Sequence, residues 1–522
     1  MSQFWVNNLT MKKLLTKILV SLFSGLVLLL LLIVMIDSKR NSSTEDTIRK
    51  LNLNINPKFK PEIFNYYALD CDKNSFEALN EKNETPGLSI TFPYINVTET
   101  KNLIQKKNYN ITCLRGGIPT YGIVNPEPSD EYFVLTDSLL LNNSLSSTYE
   151  SSVVLRDSLG TPIWWLSTKS PAIANENYNF VSDPKLINNN SQVLFYASRD
   201  VLRGYSDGEY FVYDLKESKI VKKYFGYRDD KGNGTLDQHD LIIKSDGTAI
   251  GMRYKVRTDL DLTEIGINLG TPIVDGEIVL LNSDGTENKV ISMMELIDHK
   301  EIDLGILKYY GVNAPPYDFV HLNSIELDGN SVIVSSRNID AVHKIDLETG
   351  EVVWRIGGNS STKKDLKIES ESGLNKTVSN LGKFTNIISS QHDARLYPSR
   401  VLSIFDNGTY ANRNPRIIEL KIDEKNYKAK VISSYASTFQ DQSNCCGSAR
   451  KLSNNKWLVS WGGDFRFGLD VPSVISTINN KNVETNILMN PLGVINYRAI
   501  PYELTDNEIQ LFKKDMITRK KR

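Results

Sequence analysis

The stretch HLNSIELDGNSVIVSSRNIDAVHKIDLETGEVVWRIGG, residues 321–358, holds two β-hairpins of different kinds. In the first, Asn323 to Arg337, aliphatic residues alternate with polar ones on either side of an Asp328-Gly329 turn, where glycine takes left-handed backbone without steric cost. In the second, Lys344 to Gly358, Asp346 leads into a polar turn ending at Gly350, and the return strand carries Trp354. The first kind recurs at 184–199, 240–254, 394–408 and 449–463, the second at 153–167, 211–226, 279–293 and 418–435. One hairpin of each kind makes a four-stranded sheet. Successive first-kind hairpins start 55 to 83 residues apart, the period of a propeller blade with insertions. The expected fold is therefore all-β: a six-bladed β-propeller in which the region from about 75 to 140 supplies further strands and the C-terminal end closes the ring. An open β-sandwich leaves the even alternation of two hairpin kinds unexplained.

Three of the five histidines stand at one offset in the first-kind hairpins: His239, His321 and His392 each precede a turn residue, Asp246, Asp328 or Ser399, by seven positions. Around a common axis, side chains at one offset converge. Placing the turn at Asp328-Gly329 sets residue 321 opposite residue 336, so Arg337 stands beside His321. Arg199 lies nine residues past Asn190 as Arg337 lies nine past Asp328, which brings a second guanidinium toward the same end. Imidazoles beside guanidinium groups make an oxyanion site, because planar forked donors match the oxygens of sulfate, phosphate or carboxylate. Three imidazoles also suit a metal, but adjoining arginines make a poor cation site, so no metal or cofactor is expected. Taken singly, each histidine is an ordinary strand residue and Arg337 a salt-bridge partner; Trp164, Trp165 and Trp354 read as packing between blades.

The 522 residues are 40% hydrophobic and 24% charged, an ordinary globular balance, and the net charge of -1 gives no field to recruit nucleic acid. Ile18 to Ile36 is a 19-residue run without a charge, long enough at 1.5 Å per residue to span a bilayer and too long for a cleaved signal peptide. The expected layout is a cytoplasmic segment 1–17, a transmembrane signal-anchor 18–36, a stalk 37–60, the propeller 61–505 and a basic tail 506–522, the stretch from Glu503 reading as a short helix and a solvated tail. Asn-x-Ser/Thr sequons at Asn41, Asn83, Asn96, Asn110, Asn142, Asn189, Asn233, Asn359, Asn375 and Asn407 fit a lumenal or extracellular body on a single-pass membrane protein. Cys71, Cys113, Cys445 and Cys446 permit three pairings. One is a Cys71–Cys113 staple, with Cys445 and Cys446 as a vicinal pair or free thiols.

One ordered set of motifs runs through the chain: His321-Leu-Asn323-Ser324, the strand end Ser335-Ser336-Arg337, then Gln391-His392-Asp393-Ala394-Arg395 leading to Phe405-Asp406-Asn407-Gly408. From about Asp157 to Gly463 the chain resembles the arylsulfotransferases, the PAPS-independent aryl sulfate sulfotransferases, whose members are six-bladed propellers with a histidine-lined site at the axis. The usual Pro-Asn-Gly-Asn turn is replaced here by Pro398-Ser399-Arg400. The resemblance implies that His392 is the nucleophile that is transiently sulfated, with His239, His321, Asn323 and Arg337 around the sulfuryl oxygens. It implies ping-pong transfer from a phenolic sulfate donor to a phenol acceptor, without nucleotide donor, metal or cofactor.

The residues suit that chemistry. Neutral imidazole, with an ordinary pKa near ~6.5, is a competent nucleophile. Asp393 or a backbone carbonyl is placed to hold the other ring nitrogen of His392, and a second histidine to protonate the departing phenolate. Arg199 and Asp393 join Asn323 as expected substrate-binding residues. Two other readings use the same scaffold: a non-catalytic receptor or adhesion propeller, and an oxidoreductase propeller holding a quinone.

Overall fold

Period-two alternation buries one or both faces of most strands, and the strands join in chain order into six antiparallel sheets around an axis. The computed structural model describes residues 64–65, 118, 122–124, 127 and, apart from short segments such as 141–149, 306–313, 370–376 and 464–472, residues 132–521. The apolar run 18–36, the stalk, Cys71 and Cys113 lie outside the described residues. Among the described residues no helix is long and apolar enough to cross a membrane.

Blade 2 shows the plan: Phe180–Ile187 at the axis, then Gln192–Ser198, Gly208–Asp214 and Lys219–Tyr224. The axial strands of blades 3, 4, 5 and 6 are Leu241–Ile243, Leu322–Asp328, His392–Tyr397 and Ser448–Lys451. Blade 1 is made by both halves of the chain. Ala499–Tyr502 pairs antiparallel with Phe133–Leu140, whose own neighbours are Ser152–Asp157 and Pro162–Ser167. The C-terminal end thus closes the ring, as the hairpin pattern predicts. Gly122–Val124 and Phe64–Asn65 extend the outer edge of blade 6.

The hydrophobic core lies between blades. Ile250 and Met252 of blade 3 meet Ile325, Val332 and Val334 of blade 4, and Ile333, Val342 and Trp354 of blade 4 meet Ile404, Ile418 and Leu420 of blade 5. Each such side chain contributes roughly 1.5–3 kcal/mol by leaving water, so neighbouring blades hold each other at fixed pitch.

Near the axis the blades are tied by one repeated bond. A side chain of one axial strand accepts a hydrogen bond from a backbone N–H of the next: Asp240 from Ile325 (3.0 Å), Ser324 from Ala394 (3.1 Å), Asp393 from Ala449 (3.0 Å), Ser448 from Ala499 (3.0 Å). These bonds align Asp240, Ser324, Asp393, Ser448 and Arg498, and therefore also the residues before them: His239, Asn323, His392, Gly447 and Tyr497. His239 and His392 share a position, but His321 does not; Asn323 stands there and His321 lies two residues earlier. The equal seven-residue offsets hide a difference in turn length. Blade 4 turns tightly, with Asp328 paired to Ser331, so Asp328 is four residues past Ser324, whereas Asp246 is six past Asp240.

Arg498 pins the centre. Its guanidinium reaches Asp183 of blade 2 (2.7 Å), the backbone carbonyl of His239 in blade 3, that of Asn323 in blade 4 (2.7 Å) and Asp393 of blade 5 (3.3 Å), all with the side chain almost wholly buried.

One expectation about the periphery changes. The short helix and solvated tail expected at the C-terminal end are one helix, Asp506–Lys521, started by a reciprocal Thr505–Glu508 capping box and docked through buried Phe512 and Met516. Its buried Asp515 accepts from Trp164 (2.7 Å) and Tyr213 (2.8 Å). In the polar segment after Thr362, Lys367–Glu369 adds a parallel strand to the outer edge of blade 5.

Candidate active site

The axial position and the residues just before it form one buried cluster. The rings of His239 and His321 meet edge to face at 5.1 Å; Tyr497 lies 5.2 Å from His239 and 6.0 Å from His392. Tyr254 packs against both His239 (5.8 Å) and His321 (5.7 Å) and stacks on Tyr205 (5.0 Å). The predicted convergence of three imidazoles is present, with an aromatic wall that the hairpin pattern does not announce.

His321 and His239 are each held by a carboxylate at the inner ring nitrogen. His321 Nδ1 meets Asp318 at 2.6 Å, and the other oxygen of Asp318 accepts from the His321 backbone N–H at 3.0 Å, fastening a residue with left-handed backbone (φ 49°). His239 Nδ1 meets Asp237 in the same way. In both pairs the carboxylate takes Nδ1 and not Nε2. Burial lowers the proton affinity of His321 below that of an ordinary histidine, and Asp318 opposes that only in part.

His392 is held differently. Its Nδ1–H donates to Asn407 Oδ1 at 2.7 Å, with the Ser390 carbonyl at 3.2 Å, and the backbone N–H of Cys446 donates to its Nε2 at 3.1 Å. Only the neutral Nδ1–H tautomer satisfies both contacts. Burial, then the nearby positive Arg337, then the other imidazoles push its pKa well below the ordinary histidine value. Asp393, expected at that nitrogen, is instead bound to Arg395, Arg450, Arg498 and the Ala449 N–H. It is a structural tie. The backbone carbonyl foreseen as the alternative is that of Ser390, and Asn407 is the stronger partner.

Arg337 is beside His321, as expected, but through another register. A bulge at Asn323 pairs Leu322 with Ser336, so the Arg337 backbone N–H donates to the His321 carbonyl (2.9 Å). Its guanidinium bonds Asn338 Oδ1 and the Asn444 carbonyl and lies within electrostatic reach of His392. Asn323 is fully buried; one of its amide hydrogens goes to the Gln391 carbonyl (2.7 Å) and its Oδ1 has no partner. Arg199 goes elsewhere: its guanidinium bonds Asn233 and lies over the Tyr178 ring (5.7 Å). Residues 190 and 199 have the spacing of 328 and 337, but the turn of blade 2 is longer, with Ile187 paired to Gln192 where blade 4 pairs Asp328 with Ser331.

Asn407 is also a sequon, but it is fully buried and spends its Nδ2 on Ser443 and the Cys446 carbonyl, so it is not a glycan acceptor. Cys445 and Cys446 are joined in a vicinal disulfide. Pro398-Ser399-Arg400 forms the turn at the end of the axial strand away from His392, where Arg400 pairs with Asp328 (2.7 Å), so that departure leaves the cluster untouched.

A model of the arylsulfotransferase (ASST) family matches residues 125–498. The chain belongs to the arylsulfotransferase family. The match embraces every blade and the whole cluster, and it makes aryl sulfotransfer the general chemistry that this site has to explain. No curated protein matches the chain. Similar solved structures include a candidate 6-phosphogluconolactonase from Bacteroides fragilis (12% identity, 72% of this chain and 100% of that one, TM-score 0.34). They also include the Cps50 (Swd1) β-propeller domain of Myceliophthora thermophila (9% identity, 74% and 94%, TM-score 0.32).

For an arylsulfotransferase, the groups missed by sequence reasoning are Tyr497, Tyr254, Asp318, Asp237, Asn407 and the Cys446 N–H. Tyr497 is found by the blade-to-blade register, and Asp318 and Asp237 stand only three and two residues before their histidines. A backbone N–H carries no mark in a sequence.

Proposed function

We propose that the chain transfers a sulfuryl group from a phenolic sulfate ester to a phenol through a sulfo-His392 intermediate. The single observation that carries the proposal is the state of His392: a buried neutral imidazole with Nδ1–H fixed on Asn407 and its Nε2 lone pair on the Cys446 N–H, within electrostatic reach of Arg337, His321 and His239. The Nε2 lone pair attacks sulfur, the bond from sulfur to the phenolic oxygen breaks, and the leaving phenolate takes a proton from His321 or His239. In the second half the acceptor phenol returns that proton as its oxygen displaces His392 from sulfur, so nothing is consumed but the two substrates. Arg337 stabilises the sulfuryl oxygens, whose charge grows little and whose position matters most.

An anionic sulfate ester entering beside His321 raises the ring's affinity for a proton, so the donor itself recruits the acid that its leaving group needs. Tyr254, Tyr205 and Tyr497 supply an aromatic wall against which a phenol ring packs. The proposal includes the N-terminal anchor at 18–36 and a lumenal or extracellular body. Its test is incubation of the protein with an aryl sulfate panel and a phenol: wild type transfers, His392→Ala does not. No transfer by either protein, with the Cys445–Cys446 disulfide intact or reduced, would sink the proposal.

The Cys446 N–H on Nε2 favours a second reading, a non-catalytic propeller that binds a phenolic or anionic ligand at the axis. Ligand binding that persists in His392→Ala, with no transfer in wild type, identifies that case.

A further inference from the structure

The segment Asn444–Gly447 engages both principal groups of the cluster. The Asn444 carbonyl accepts from the Arg337 guanidinium, and two residues on, the Cys446 N–H donates to His392 Nε2. The Cys446 carbonyl accepts from Asn407 Nδ2, whose Oδ1 holds His392 Nδ1. One residue, Cys446, therefore grips the imidazole from both sides, directly at Nε2 and through Asn407 at Nδ1. An Nε2 lone pair engaged with an N–H is not available to attack sulfur. The residue between the two contacts is Cys445, and its disulfide to Cys446 ties the segment into one short covalent ring. Cys446 sits in left-handed backbone (φ 63°), a conformation that a side-chain-bearing residue keeps only when its surroundings hold it. Gly447 follows at φ 104°, where a Cβ would come within 2.2 Å of the Phe405 ring, so the segment is pressed against blade 5.

We propose that Cys445–Cys446 is a thiol-exchange site for a dithiol reductant, and that its reduction releases the Cys446 N–H from His392 and exposes the nucleophile. Cys445 is the partly exposed member of the pair and Cys446 is buried, so exchange starts at the Cys445 sulfur. A thiolate of the reductant attacks it and the Cys445–Cys446 bond breaks, leaving Cys446 as thiolate. The second thiol of the reductant then resolves the mixed disulfide. Two electrons and two protons pass to the cysteines and the reductant leaves as a disulfide. The inference rests on His392 being the nucleophile of the proposed transfer, but its first readout does not.

The full chain, oxidised or reduced with dithiothreitol and desalted without air, is treated with diethyl pyrocarbonate, which acylates a free imidazole nitrogen. Mass spectrometry follows the His392 peptide and alkylation of Cys445 and Cys446. The expected result is acylation of His392 about tenfold faster in the reduced chain, the weight of one hydrogen bond. The Cys445→Ser/Cys446→Ser variant is expected to react at the fast rate in both states. Equal rates in a wild-type chain whose two cysteines are demonstrably alkylated overturn the proposal, as does a redox difference that persists in the double variant. If His392 is unmasked and an aryl sulfate still leaves no sulfuryl group on it, the cap stands and the sulfotransferase reading falls.

Discussion

At the scale of single residues, the three histidines divide by what holds their inner nitrogen. His392 is paired with a neutral amide, Asn407, which fixes its tautomer; His321 is paired with the carboxylate of Asp318, which opposes the loss of basicity that burial brings, and His239 Nδ1 meets the carboxylate of Asp237. In the proposed transfer, nucleophile and proton carrier are thus told apart by partner. Replacing Asp318 by Asn removes the group that props up the proton affinity of an already depressed His321. Its protonated form then survives only to lower pH, so the loss of donor turnover with rising pH moves to lower pH. Transfer from donors with strongly basic leaving phenolates falls roughly hundredfold while activated donors change little, within the range of one general acid. A leaving-group series measures this; a uniform loss across donors would mark Asp318 as merely structural. The histidines and Arg337 were legible because side-chain chemistry is written in the sequence. Asn407 and the Cys446 N–H were not, since one looks like a sequon and the other is backbone.

At the scale of elements, the alternation of two hairpin kinds predicts blades of four strands because period-two patterning and turn chemistry are local. Register across a bulge is not local. The shorter turn of blade 4 and the bulge at Asn323 moved His321 two residues out of phase with His239 and His392, and yet the left-handed backbone at His321 returns its ring to the cluster. Arg199 fails for a related reason: its equal spacing from a turn asparagine spans a different hairpin. The reach of the C-terminal helix into the expected solvated tail is hidden by the basic residues that dominate its composition. Its apolar residues Phe512 and Met516 and its buried Asp515 fall at three- and four-residue spacing on one face. Phe512→Ala should destabilise the propeller by about 3–5 kcal/mol, read as a lower chemical-denaturation midpoint. An unchanged midpoint would mean that the helix is an ornament on blade 1.

At the scale of the whole molecule, the ring closes through its last strand, and the same closing segment delivers Tyr497 to the site and Arg498 to the axis. Arg498 is the buried partner of carboxylates and carbonyls from four other blades, so Arg498→Met leaves Asp183 and Asp393 short of a charge partner. A loss of about 3–5 kcal/mol is expected, seen as a lowered thermal midpoint. A midpoint within a degree or two of wild type would show that interblade packing alone holds the axis. Site and closure are therefore one construction, and the convergence of residues far apart in sequence is what the propeller contributes to chemistry. The measurement that bears most directly on that chemistry is mass spectrometry of the protein after brief exposure to an aryl sulfate without acceptor, handled at neutral to alkaline pH. One sulfuryl group on the His392 peptide, discharged on adding a phenol and missing in His392→Ala, is the result predicted; transfer to the phenol with no adduct on His392, or an adduct on His239 or His321 instead, would contradict it.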